Sequence, residues 1–181
     1  MSTVSVPVLI LYCQAVTNID ANLHRFQADS IARTAELLGD RWTFLILREA
    51  FFGVRRFGEL ARNLGCSRQL LSQRLTRLVE CGVLERHRYQ RQPERYEYGL
   101  TDAGRGLYDT ILALLAWGDG HLAGPQGPPL LLRHTICGHD TVPVMCCPAC
   151  GQRVLPQDIE ARPGPGATTA LTATQVSVNR R

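Results

Sequence analysis

Residues 56–81, RFGELARNLGCSRQLLSQRLTRLVEC, decide the fold. Phe57, Leu60, Ala61 and Leu64 recur at i, i+3, i+4 and i+7, which is one apolar face of a helix running from about Arg56 to Leu64. Gly65 ends it, and two residues later Ser67 can cap a second helix that runs to about Cys81 and is closed by Gly82. Leu71, Leu75 and Leu78 form the buried stripe of that second helix. Two short helices joined by a tight turn containing Gly make a helix-turn-helix.

The side of the second helix opposite its leucines carries Arg68, Gln69, Ser72, Gln73, Thr76 and Arg77, each able to donate a hydrogen bond. Arg and Gln pair bidentately with guanine and adenine edges in the major groove, as a recognition helix must. A plain solvated face would mix in Glu and Asp, yet no acidic residue stands between Ser67 and Val79. Arg55 and Arg56, at the entry to the motif, and Ser67, at its turn, complete the candidate contacts on this side.

Moving outward, residues 83 to 100 change to β character: Val83–Tyr89 and Arg95–Leu100 flank a polar link, and Tyr96, Tyr98 and Leu100 alternate. The hairpin bears Arg86, Arg88, Arg91 and Arg95. A basic hairpin alone is an ordinary exposed ribbon, but directly after a recognition helix it reads as a wing whose cations reach phosphates or the minor groove. Upstream, Ser30 can cap a helix with Ile31, Ala35 and Leu38, stopped by Gly39. Asp40 then caps RWTFLILREAFFG, which is apolar nearly all round and belongs at the centre of the fold. Downstream, Thr101 caps TDAGRGLYDTILALLAWGDG. The later turns of this helix, with Leu107, Ile111, Leu114, Leu115 and Trp117, hold more apolar surface than one neighbour covers, which favours a dimer interface.

Charge follows the same division. Residues 41–100 hold twelve Arg and six Glu with neither Lys nor Asp, a net of +6, while the whole chain of 181 residues carries +4. A basic centre between neutral or acidic flanks points to an anionic partner such as nucleic acid. All twenty basic residues are Arg, a tally that a genome-wide codon bias accounts for. The longest apolar run, Val8–Cys13, is six residues, far short of a membrane span of about 18 or more. With no basic residue before Arg25, a secretory signal is not expected, and the chain reads as cytoplasmic.

Three blocks, AELLGDRWTFLILREAFFGVRRFGEL (35–60), SRQLLSQRLTRLVECGVLER (67–86) and YEYGLTDAGR (96–105), resemble the HxlR family of bacterial winged helix-turn-helix transcriptional regulators. The resemblance covers about residues 28–122 and implies a homodimer on double-stranded operator DNA, acting as repressor or activator, often under a reactive electrophile or small-molecule effector. Where oxidant-sensing members carry a Cys-Pro pair ahead of the first helix, this chain has Asp29 and Ser30, so thiol sensing at that site is absent. Cys66 and Cys81 read as small packing residues.

Seven cysteines in an intracellular chain argue for thiols or metal ligands before disulfides, and four of them fall between Cys137 and Cys150. Cys147-Pro-Ala-Cys150-Gly has the spacing of a zinc knuckle, to which Cys137 and His139 could add the remaining ligands of one structural zinc ion. A small hairpin with free thiols and no metal is the competing reading. A thioredoxin-like dithiol is disfavoured, because about fifty residues with Pro143, Pro148, Pro156, Pro163 and Pro165 cannot build a βαβ fold.

The expected fold is α+β, mainly helical, a winged helix-turn-helix with a C-terminal cysteine-containing hairpin appendage. Residues 1–27 read as a disordered extension, 28–122 as the DNA-binding and dimerisation domain, 123–130 as a linker, 131–160 as the cysteine-rich hairpin and 161–181 as a disordered tail. No Ser/His/Asp set, paired carboxylates or phosphate loop supports catalysis. The expected function is a DNA-binding regulator, the alternative a metal-dependent or partner-binding module that keeps a winged helix without sequence-specific regulation.

Overall fold

The structure, a computed structural model, describes residues 30–160, 162 and 165. The expected extension over 1–27 and all but two residues of the expected tail lie outside the described residues. The chain divides into two compact units, one closing at Gly106 and the other spanning Leu107–Arg162.

The first unit runs α1 (Ser30–Leu38), α2 (Arg41–Phe51), α3 (Phe57–Leu64), α4 (Arg68–Glu80), β1 (Leu84–Arg91), β2 (Glu94–Leu100) and the single turn α5 (Asp102–Arg105). Helix α2 is central, touching α1, α3, α4 and β2. Its first turn is held by Asp40, whose Oδ1 accepts from the Trp42 and Thr43 amides at 3.0 and 3.1 Å while Oδ2 accepts from Thr43 Oγ1 at 2.6 Å. Ile46 and Leu47 from α2 join Leu38, Leu60, Leu71, Leu75, Leu78, Val83 and Leu84 in the core. The leucines predicted for the buried stripe of the second motif helix are therefore those of the core, as their spacing at i, i+4 and i+7 requires.

A charged residue is also buried there. Glu49 on α2 accepts from Asn63 Nδ2 of α3 at 2.7 Å and pairs with Arg48 at 2.7 Å, which satisfies a carboxylate that burial would otherwise penalise.

Strands β1 and β2 pair antiparallel with Leu84 opposite Leu100 and Arg91 opposite Glu94, and a bulge falls between Arg88 and Gln90. The sheet has a third member that hydrophobic patterning did not reveal. Arg55 and Arg56, between α2 and α3, run beside β2: the Tyr98 amide donates to the Arg55 carbonyl at 2.9 Å and Arg56 bridges Glu97. Two residues are too short a stretch to show the alternation by which strands are recognised.

The helix expected from Thr101 onward is in two pieces. Thr101 Oγ1 accepts from the Gly104 amide at 3.0 Å and donates to the Gly82 carbonyl at 2.6 Å, which caps α5 and ties it to the end of α4. The helix pauses at Gly106 and Leu107, then resumes as α6 (Tyr108–His121). Glycines at 104 and 106 remove the side chains that would favour helix over turn in this stretch.

The second unit contains α6, the short antiparallel pair β3 (Leu132–Arg133) and β4 (Asp140–Thr141), an isolated bridge between Cys146 and Arg153, and a 3-10 turn at Pro156–Asp158. The cysteine-rich segment thus holds one short strand pair and, after it, the separate bridge.

Candidate nucleic-acid interface

Helix α4 is set against the core by Leu71, Leu75 and Leu78 and started by Ser67, whose Oγ accepts from the Leu70 amide at 3.2 Å. With one side fixed inward, helical geometry turns the opposite side to solvent. Ser67, Arg68, Gln69, Ser72, Gln73, Thr76 and Arg77 are all exposed, and a shallow open depression is lined by Gln69, Ser72, Gln73, Thr76, Arg77 and Glu80.

Two of the arginines are already engaged. Arg77 Nη2 donates to the Glu36 carbonyl at 2.6 Å, which fastens α1 to α4 while the residue stays exposed. Arg68 has its guanidinium 5.0 Å from the Phe57 ring centroid, resting on the start of α3. That contact steers Arg68 along the helix-turn-helix entrance while leaving the residue exposed. Arg74, between these two on the sequence, turns inward: its Nε is 3.4 Å from Asp40 Oδ1.

Asp40 serves both α2 and α4. Burial pushes its carboxyl up, but the Thr43 hydroxyl and amide, the Arg74 charge and the Trp42 amide outweigh that and hold it below its ordinary value.

In the hairpin, Arg86, Arg88, Arg91 and Arg95 are exposed. Arg86 lies over the Tyr96 ring at 4.2 Å and Arg88 pairs with Glu94 at 3.1 Å. Arg56 lies over Tyr89 at 5.0 Å, so the edge segment and the hairpin share a cation–π contact. Burial raises the Tyr98 phenol above its ordinary value although the neighbouring Arg86 charge opposes it. Arg91 and Arg95 flank the turn at Gln92–Pro93, whose peptide bond is cis. A cationic ribbon therefore extends from the same unit whose α4 presents amides, hydroxyls and guanidinium groups.

This arrangement, two helices at a tight glycine turn followed by a basic two-stranded hairpin, is a winged helix-turn-helix. The model of the HxlR-like helix-turn-helix family matches residues 37–125. The chain belongs to that family. A helix-turn-helix-type transcriptional regulator of Mycobacterium tuberculosis (strain ATCC 25618 / H37Rv), Rv3095, is 51% identical over 150 residues, covering 83% of this chain and 95% of that protein. Such a match leaves 31 positions of the 181 outside it, so it includes at least residues 32–150 and extends well into the second unit. The regulator YtcD of Bacillus subtilis (strain 168) is 34% identical over 94 residues, 51% of this chain and 75% of its own length. Among solved structures, the transcription factor PA1607 superposes with a TM-score of 0.68 at 30% identity over 77% of this chain and 97% of that one. PA1374 of Pseudomonas aeruginosa gives 0.58 at 36% identity over 77% and 95%. The HxlR-like chain is a DNA-binding transcriptional regulator.

The residues named for dimerisation and metal lie in the second unit. No residue of α6 is buried; Leu107, Ile111 and Leu115 are half-buried, while Leu114 and Trp117 are 47% and 57% exposed. Trp117 stacks on His121 at 4.9 Å. Of the expected metal ligands, Cys147 and Cys150 face one another: the Cys150 and Ala149 amides and the Cys150 side chain are directed at the Cys147 sulfur and hold its thiol below the ordinary range. Beside Cys137 the structure places His134, with Nδ1 3.2 Å from Cys137 Sγ, whereas the His139 carbonyl accepts from the His134 amide at 2.9 Å. Among the described residues, no three or more histidine, cysteine or acidic side chains are gathered so as to hold an ion. Nor, among the described residues, is any helix long and apolar enough to cross a membrane.

Proposed function

We propose that this HxlR-like regulator reads operator DNA as a homodimer, with α4 in the major groove and the β1–β2 hairpin against the adjoining backbone or minor groove. The observation that carries the reading is the solvent side of α4. Arg68, Gln69, Ser72, Gln73 and Thr76 stand exposed on a helix whose first acidic residue is Glu80, at its end. Base edges are recognised by such donors and amides, and phosphates repel carboxylates. Arg91 and Arg95 at the hairpin turn supply charge to phosphates without reading sequence. Arg55 and Arg56 sit beside β2 and add to the same basic surface.

Support for the dimer comes from α6, an apolar helix of fourteen residues none of which is buried within the single chain. Covering it with a second copy removes Leu114 and Trp117 from water, and a two-fold dimer sets two α4 helices about one turn of DNA apart. A regulator of this kind works beside the chromosome, in the cytoplasm, and its occupancy can be set by a small-molecule effector.

Footprinting on the DNA upstream of the chain's own gene tests the proposal. Protection of two half-sites about 10 base pairs apart, centre to centre, is expected. Binding that follows salt but shows no preferred sequence at any position would overturn it.

A further inference from the structure

The second unit contains one loop built twice. In the first copy the His134 amide donates to the His139 carbonyl at 2.9 Å and the Gly138 amide returns to the His134 carbonyl at 2.7 Å. Thirteen residues on, the Cys147 amide donates to the Gln152 carbonyl at 2.8 Å and the Gly151 amide returns to the Cys147 carbonyl at 2.8 Å. Both glycines have φ of 72°, in the left-handed region, and each loop is closed by a pair one residue outside it, Arg133 with Asp140 and Cys146 with Arg153. The first and fourth residues of the loops are His134 and Cys137, then Cys147 and Cys150.

A tight turn ending in a left-handed glycine needs no metal, so the shape alone decides nothing. What such a turn does not need is a soft donor at both its first and fourth residues, twice over. All four are imidazole or thiol. We infer that His134, Cys137, Cys147 and Cys150 are the ligands of one structural zinc ion, each loop contributing a pair.

Three further observations fit. Adjacent ligands at about 2.0 and 2.3 Å from a tetrahedral zinc stand about 3.5 Å apart, and His134 Nδ1 is already 3.2 Å from Cys137 Sγ. His139 occupies the loop position that Gln152 occupies in the second copy, where its main chain closes the hairpin; the repeat therefore takes His134, not His139, as the imidazole ligand. Finally, no described residue of the unit is buried, with Ile136 at 88% and Met145 at 68% exposure, so the segment has no core of its own. Small units without a core are held by metals or cross-links. Coordination would hold the two pairs together, the three thiols releasing their protons to solvent as Zn–S bonds form. With three thiolates and one imidazole the set is closed to water and gives the ion no catalytic position.

The test is metal analysis of the full chain, purified without chelator, together with single variants. Wild type, His139→Ala and Cys146→Ser should each hold about one zinc per chain. Cys137→Ser and Cys147→Ser should lose it, and His134→Ala should weaken retention against a competing chelator by about tenfold or more, whereas His134→Cys, which restores a soft donor, should keep the ion. Cobalt exchanged into the wild type should show the visible absorption of a tetrahedral thiolate site, a readout that does not depend on any variant folding. Zinc-free wild type with all four C-terminal thiols open to titration would overturn the site. Loss of zinc in His139→Ala with retention in His134→Ala would overturn the ligand assignment.

Discussion

Asp40 joins the start of one helix to the flank of another. Its carboxylate caps α2 through Trp42 and Thr43 and lies 3.4 Å from Arg74 on α4. Removing the cap in Asp40→Ala should cost about 1 kcal/mol, read as a lower urea midpoint at pH 7. The linkage has a definite sign. Because the carboxyl is held below its ordinary value in the folded chain, its contribution is present above about pH 3.9 and is lost as pH falls through the folded value. Wild type should therefore lose more stability between pH 6 and 3 than Asp40→Asn does, and parallel pH profiles would contradict this. Gly104 is a second residue fixed by what comes close to it in the fold. A Cβ there would stand 2.1 Å from the Val83 carbonyl oxygen, part of the main chain, so Gly104→Ala should destabilise by about 1–3 kcal/mol. Gly58, inside α3 with nothing within 4 Å of its would-be Cβ, is the control: alanine there should stabilise by about 0.4–1 kcal/mol.

Within the elements, α4 and the hairpin should fail in different ways. Gln69→Ala and Gln73→Ala each remove a side chain able to read a base edge, so binding should weaken by about 1–3 kcal/mol and preference should relax at particular base pairs. Arg91→Ala and Arg95→Ala should weaken binding to all sequences alike and lower the salt slope by about 0.9 for each phosphate no longer neutralised. Competition shifts over a salt series separate the two patterns. Unchanged sequence preference in both glutamine variants would remove α4 from its assigned role. Arg77 should behave unlike its neighbours, because its bond to the Glu36 carbonyl makes it a link to α1. Its replacement should show first in thermal stability, before any change in base preference.

For the whole molecule, the controlling quantity is the apolar surface of α6. Leu114→Arg would place a charge without a partner in a two-fold contact, so it should give monomers in sedimentation at micromolar concentration. A wild type that sediments as a monomer under those conditions would refute the dimer. DNA affinity should fall with the dimer, since one half-site then binds alone. The isolated winged-helix fold should persist in that variant, because its core leucines lie in the first unit and Leu114 in the second.

Period and punctuation in the chain determined the helices of the motif, the capping by Ser67, Asp40 and Thr101, and the hairpin; local energetics sets these, and neighbouring residues carry it. The exposed donors of α4 were legible for the same reason: once Leu71, Leu75 and Leu78 are assigned inward, the other side must face out. Tertiary structure alone decided what those side chains do once folded. Arg77 meets Glu36, 41 residues away, and Arg74 meets Asp40, pairings that no spacing within α4 announces. It decided likewise that Arg55 and Arg56 lie along β2, and that His134 rather than His139 sits against Cys137. The Cys-x-x-Cys spacing was visible in the sequence. The matching first loop, with His in place of its first Cys, became recognisable only when the main-chain hydrogen bonds showed both loops to be the same turn. A side chain's period tells which way it points, whereas its partner depends on where the rest of the chain comes to lie.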